Sequence, residues 1–148
     1  MAKPTTLKFG KFFVRLSDGA TPAPAFVAPC GFTQKSFNRN KTLAEVNVPD
    51  CDEPDAASWM ERDVQSMSAS ISGSGVLAKS SVPIWEAALL DTDSIECEVE
   101  LEYPDGGSDI YTGRFHLESF EITGSIGERV NVSISMQSDG EIVYERTV

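Results

Sequence analysis

Residues 94–123 read SIECEVELEYPDGGSDIYTGRFHLESFEIT, and this stretch decides the fold. Ile95, Cys97, Val99, Leu101 and Tyr103 alternate with Glu96, Glu98, Glu100 and Glu102, the period of a strand with one face in a core and the other in water. Pro104-Asp105-Gly106-Gly107 is a turn sequence. Asp109–Thr123 runs back from it, so the two segments are expected to pair as a hairpin. Downstream, Gly124–Glu128 turns again. Val130, Val132, Ile134 and Met136 then alternate with Asn131, Ser133 and Ser135, Asp139-Gly140 turns, and Glu141–Arg146 makes a last strand.

Upstream, SSVPIWEAALL (80–90) is the one good helix. Ser80 or Ser81 can cap it, and Pro83 suits its first turn. Ile84, Trp85, Ala88 and Leu89 form its apolar stripe. A single helix builds no core of its own, so this one is expected to cover a sheet. Before it, Gln65–Leu77 reads as a strand, with Ser66, Ser68, Ser70, Ser72 and Ser74 on one face and Met67, Ala69, Ile71, Gly73 and Gly75 on the other. Nearer the N-terminus, Lys8–Leu16 reads as a strand broken by Asp18-Gly19, and Thr21–Pro29 as an extended connection. Phe32–Phe37 and Thr42–Val48 read as two strands or one long bent strand. The expected fold is mainly β, a sandwich or partly closed barrel of about seven or eight strands flanked by one α-helix. All 148 residues form one domain, with an N-terminal arm at 1–8 and a long loop at 49–63.

That loop, PDCDEPDAASWMERD, holds two prolines and six acids, which disfavours a regular strand. Loops of such length are functional or disordered. Trp59 and Met60 within it either fold back on the core or anchor a partner surface, where Trp is favoured.

Charge excludes several functions. The net charge is −11, against binding nucleic acid by phosphate neutralisation and against binding anionic membrane. Residues 1–41 carry seven bases and one acid, the remainder five bases and 22 acids, so the two parts hold +6 and −17. One reading is a solvated acidic surface with a basic tail. The other is head-to-tail assembly of the basic part of one copy on the acidic part of the next. No apolar run approaches the roughly 20 residues of a membrane helix, and MAKPTTLKFGKFF lacks the apolar region of a secretory signal. Cys30, Cys51 and Cys97 form an odd, widely spaced set that suits a reducing cytosol better than a disulfide framework or a zinc site.

Catalytic signals are scarce. His116, the only histidine, lies two residues from Glu118 and so on the same strand face. Such a pair could exchange protons, but it is more often a surface hydrogen bond. No base or acid accompanies the serine face at fixed spacing. Asp50, Asp52, Glu53 and Asp55 supply oxygens for calcium without the glycine and closing glutamate of an EF-hand loop. No enzyme activity, cofactor or metal is expected.

The order of these pieces carries a resemblance. The acidic loop ending in WMERD is followed by SMSASISGSGV, the helix SSVPIWEAALLD, and the acidic strand with its PDGG turn. Then come GRFHLESFEITGSIGERVNVSISMQ (113–137) and SDGEIVYE. From about Gly31 to Tyr144 this run resembles the tail tube, or major tail, proteins of long non-contractile-tailed bacteriophages and gene-transfer particles. The resemblance implies six copies in a ring whose inner sheets join into a continuous barrel. Rings stack head to tail into a tube that assembles in the host cytoplasm around a tape-measure protein and meets tail terminator and distal tail proteins. In the virion the tube conducts double-stranded DNA into the host. It also implies a stacking loop here, with Asp50, Asp52, Glu53, Asp55, Trp59 and Met60 as its contact residues; the arm, with Lys3 and Lys8 and little apolar content, is expected to be mobile in the monomer and to order on assembly. Glu96, Glu98, Glu100 and Glu102, without a Lys or Arg between Lys79 and Arg114, are the candidate lumen lining. The competing reading is a small acidic β adaptor or effector module that binds a single protein partner; a hydrolase using His116 is a third.

Overall fold

Strands β5 (Ile95–Glu102) and β6 (Ser108–Thr123) pair antiparallel in the register the alternation requires, Val99 opposite Tyr111 and Cys97 opposite Gly113. The computed structural model describes residues 2–17 and 26–147. The expected turn at Asp18-Gly19 and most of the Thr21–Pro29 connection lie outside the described residues. The other strands are β1 (Phe12–Ser17), β2 (Phe26–Val27), β3 (Phe32–Asn47), β4 (Met60–Val76), β7 (Asn131–Ser138) and β8 (Val143–Thr147). A 3-10 turn, Phe9–Lys11, precedes β1, and another, Lys79–Ser81, leads into helix α1, Val82–Leu90. The fold is mainly β, as the alternation requires.

One antiparallel sheet runs β2-β1-β5-β6-β7-β4-β3, and β8 pairs with the first half of β6 beside β7. The sheet curls until its two ends meet through side chains. Lys35 on β3 donates from Nζ to the Phe12 carbonyl on β1 at 2.9 Å and lies 5.0 Å from the Phe9 ring centre. Burial, then the nearby Arg15 charge, lowers the Lys35 pKa. Phe37 on β3 tilts onto Tyr111 on β6, with ring centres 5.2 Å apart. The result is a partly closed barrel whose seam between β1 and β3 is spanned by a side chain.

The inner face follows the sequence parity: Val14 and Leu16, Cys97 and Val99, Phe115 and Leu117, Ile71, Ile134 and Met136 are all buried. Burial raises the Cys97 thiol pKa to about 12, so it behaves as a small apolar residue. A register shift between Leu117 and Ser119 turns Phe120 inward opposite Ile134, where strict alternation would send it out. Gly31 enters β3 at φ +98°, a conformation open to glycine, and its carbonyl so crowds Gly75 that a Cβ there would overlap it.

Helix α1 packs against β6. Trp85 and Ala88 are buried as expected, but Leu89 is 39% exposed. Ser81, Trp85 and Ala88 recur at i, i+4 and i+7, which centres the buried face between them and leaves Leu89 on its rim in the last turn. Neither expected capping serine caps through its side chain. Ser81, buried, instead accepts from the Cys30 amide (3.0 Å) and donates to the Cys30 carbonyl (3.1 Å), tying the helix start to the chain entering β3.

The last strand is held by a buried acid. Asp109 accepts from Tyr103 Oη, from Tyr144 Oη at 2.8 Å, and from Arg146 Nε and Nη2 at 2.8 and 3.2 Å. The Arg146 hydrogen bonds, then that of Tyr103, hold its carboxyl well below the usual carboxylate range. Because the folded-state pKa is depressed, this contribution is complete above the unfolded pKa near 4 and is lost as pH falls through the folded value. Asp109→Asn is therefore expected to lower the thermal midpoint at neutral pH and to flatten its decline in acid. A variant whose midpoint falls with acid as steeply as that of the unaltered protein would show that Asp109 does not carry this dependence.

Candidate functional site

The surface offers no catalytic constellation at the expected place. His116 Nε2 lies 3.3 Å from Asp139 Oδ2, and Glu118 accepts from Gln137 Nε2 at 2.9 Å. The expected His116–Glu118 pair is therefore split between two different partners on β7 and the turn after it. Among the described residues, no three His, Cys, Asp or Glu side chains gather as metal ligands. No described helix is long and apolar enough to cross a membrane. What the surface does offer is shape, free strand edges and segregated charge.

The β3–β4 hairpin projects from the body. β4 pairs with β3 from Met60 to Gly75, but with β7 only from Ser70 to Val76. Met60–Ala69 and its partners on β3 thus form a two-stranded ribbon about 30 Å long. The loop at its tip is residues 48–59, shorter than the expected 49–63. Met60–Asp63 continue the strand opposite Asn47, Val46, Glu45 and Ala44, because the disruptive prolines and most of the acids end at Asp55. In the loop Asp50 Oδ1 accepts from the Asp52 amide at 2.9 Å, and the Ala56 amide bonds the Glu53 carbonyl. Asp50, Asp52, Glu53, Asp55, Trp59 and Met60 are all exposed, Trp59 at 94%. Down the ribbon, Leu43 and Val64 sit opposite each other and exposed, and Met67 is 73% exposed. A lone two-stranded ribbon is marginal in water, and apolar side chains open to solvent along it are the kind of surface that contacts use.

The glutamate row lies on the outward face of β5, but the sequence reading missed its counter-charges. Arg15 on β1 stands opposite Glu98 and donates from Nη1 to Glu98 Oε1 at 3.2 Å and to Glu100. Lys11 Nζ is 3.6 Å from Glu102, and Arg114 is the cross-strand partner of Glu96. The gap in bases between Lys79 and Arg114 therefore does not leave the row without counter-charge. Relief comes from bases distant in sequence that register places alongside.

The arm residues 2–8 have no regular secondary structure and are exposed except for half-buried Leu7, so Lys3 and Lys8 both stand in solvent. Several strand edges are free among the described residues, since β2 and β8 have one partner strand each, and two of these edges are long and share a layer. One is the outer edge of β3. The other is the edge of β6 beyond Phe115, where β5 ends at Ile95. Both belong to the same layer, β3-β4-β7-β6.

Comparison with known proteins gives this geometry a context. The family model described as phage tail tube protein matches residues 6–144. No curated protein matches the chain. Among solved structures, the chain is similar to one from the tail of an empty gene transfer agent particle with C6 symmetry. The identity is 20%, 95% of this chain and 99% of that one are covered, and the TM-score is 0.77. It is also similar to the SPP1 tail tube, at 15% identity, covering 96% of this chain and 79% of that one with a TM-score of 0.66. A third likeness is to the sheath-tube complex of an extracellular contractile injection system, at 10% identity, covering 97% and 93% with a TM-score of 0.62. With a family match across almost its whole length, this chain belongs to the phage tail tube protein family and is a structural, non-enzymatic component of a virion tail.

Proposed function

We propose that six copies of this protein close into a ring, and that rings stack head to tail into a non-contractile tail tube that conducts double-stranded DNA to the host. The observation that carries this reading is the pair of free edges on one layer, β3 and the second half of β6. Exposed edges invite pairing with another copy, and closure removes them. Four strands from each of six copies make a barrel of about 24 strands. The sixfold symmetry of the gene transfer agent tail supplies the copy number. The uneven charge along the chain, +6 against −17, suits a head-to-tail contact, which is heterologous and propagates. The projecting ribbon and its loop 48–59 reach the next ring, with Trp59 and Met60 as anchors. The tube assembles on a tape-measure protein between distal tail and terminator proteins.

Negative-stain microscopy of the purified protein tests this. Rings with sixfold averages, or tubes of uniform diameter, are the expected result. Protein that stays monomeric at high concentration, both alone and beside its tape-measure protein, would overturn it.

The arm is assigned a part in the same assembly. Residues 2–8 are expected to order against an acidic surface of another copy. Hydrogen exchange at Thr6–Phe9 should slow on going from monomer to tube; equally fast exchange in both states would remove the arm from the contact.

A further inference from the structure

The face of the β3-β4-β7 layer that points away from the core is chemically unlike the rest of the surface. Every second residue from Gln34 to Thr42, from Ser66 to Ser74 and from Asn131 to Gln137 is Ser, Thr, Asn or Gln. Register puts these side chains side by side: Ser36 opposite Ser72 and Asn38 opposite Ser70, with Ser72 in turn opposite Ser135 and Ser70 opposite Gln137. No charged residue interrupts these three stretches on that face; beyond them, toward the ribbon tip, β3 and β4 carry charges at Glu45 and at Glu61, Arg62 and Asp63. The charges beside these stretches on the same face, Glu118 and Glu121, stand on β6 at the layer's edge. In a chain of net charge −11, an uncharged expanse this broad is a selection and not an average.

It also runs against strand preference. Val, Ile and Thr favour strands on an exposed face, and Asn disfavours them. A local rule broken over three neighbouring strands marks a site where something other than stability decides the residue. The acids of β5, by contrast, carry Arg15, Lys11 and Arg114 beside them and lie in the other layer. β5 is paired on both sides, and the edges of its layer are the two-residue β2 and the five-residue β8, against the 16 residues of β3.

We infer that the hydroxyl and amide face of β3, β4 and β7 is the wall of the tube's bore, and that the glutamate row of β5 faces away from it. This inference rests on the assembly proposed above and deepens it. The layer with the long free edges, β3 and the second half of β6, forms the continuous barrel, and the core occupies its other face, so this polar face is the one turned to the bore. A double-stranded polyanion meets there groups that exchange hydrogen bonds with water and hold no counter-ion. Lysines would neutralise phosphates, release counter-ions and retain the DNA. An uncompensated row of acids would oppose its admission. The uncharged stretches of β3, β4 and β7 do neither, and the sparse charge beside them on that wall is Glu118 and Glu121 of β6.

Cysteine accessibility in assembled tubes tests the assignment. The exposed Cys30 and Cys51 are first replaced, Cys30→Ser and Cys51→Ser, which leaves the backbone bonds of Cys30 to Ser81 in place. Ser72→Cys and Glu102→Cys are then each labelled with a small maleimide and with a maleimide on a polyethylene glycol too wide for the bore. In free protein both positions should react with both reagents. In tubes, Ser72→Cys should keep its reaction with the small reagent and lose that with the polymer, whereas Glu102→Cys should keep both. Polymer labelling of Ser72→Cys in tubes, its protection from both reagents, or polymer protection of Glu102→Cys would each overturn the assignment. Microscopy of the same samples separates the failures. Intact tubes with the wrong labelling defeat the wall assignment alone, and an absence of tubes from the cysteine-replaced parent defeats the assembly it rests on.

Discussion

Trp85→Ala is expected to remove about 3–5 kcal/mol of folding free energy, a large share of the roughly 5–15 kcal/mol that holds a domain folded. Trp85 is among the largest fully buried side chains. Its ring meets Phe32 edge-on at 5.7 Å and tilts toward Phe120 at 6.4 Å, and Val14, Ile71 and Ile134 border the same interior space. Alanine would leave a cavity where β1, β3, β4, β7 and the helix converge, and rigid strands collapse poorly into such a space. Trp85 Nε1 is buried without a hydrogen-bond partner among the described residues, so its loss also removes a standing penalty of about 1–3 kcal/mol, placing the net cost toward the lower end. Trp85→Phe should lose less than the alanine variant for the same reason. Leu89→Ala, four residues on and on the rim of the helix, should stay within about 0.5 kcal/mol. Urea unfolding with unchanged m-value measures all three. A Trp85→Ala cost below about 1 kcal/mol would mean that the helix is not fastened through this side chain.

That contrast shows how far the sequence could be read. Alternation at 95–103 and 131–137 and the PDGG turn placed three strands correctly, because period-2 burial is a local signal. The helix was legible, but its buried face was not, since Trp85 with Leu89 and Trp85 with Ala88 are equally good helical spacings. Only the sheet beneath decides between them. The full length of the β3–β4 hairpin was hidden by Pro49, Pro54 and the acids, which end strand signals while the flanking residues remain paired as far as Asn47 and Met60. Arg15 beside Glu98 was beyond reach for a different reason: 83 residues separate them, and only the order β1-β5 makes them neighbours. Asp109 did leave a trace. Its parity puts it on the same face as Tyr111 and Phe115, so a buried acid needing partners was implied there, although Tyr144 and Arg146 could not be named. The polar face of β4 was plain in the serine repeat, but its extension across β3 and β7 depends on register, and its meaning depends on which strand edges are left free.

Deleting Asp50–Ser58 is expected to abolish tubes while the monomer stays folded. The deleted residues are exposed and outside the core cluster, so the thermal midpoint of the monomer should move little. Assembly should respond differently. If Trp59 fills a pocket on the neighbouring ring, a contact of this kind is worth about 2 kcal/mol or more, and deleting the loop that presents it forfeits that in every copy. A ring interface repeats the contact in each of its six copies, so the loss per ring junction is on the order of 10 kcal/mol. Trp59→Ala, which leaves loop and charge intact, should weaken stacking by the anchor alone and shorten tubes without eliminating them. Microscopy and sedimentation of the two variants beside the unaltered protein give the comparison. In the proposed assembly the ring closes through the edges of β3 and β6, which the deletion leaves in place, so isolated rings should persist where tubes do not. Tubes of normal length from the deleted protein would show that ring stacking is carried by another surface.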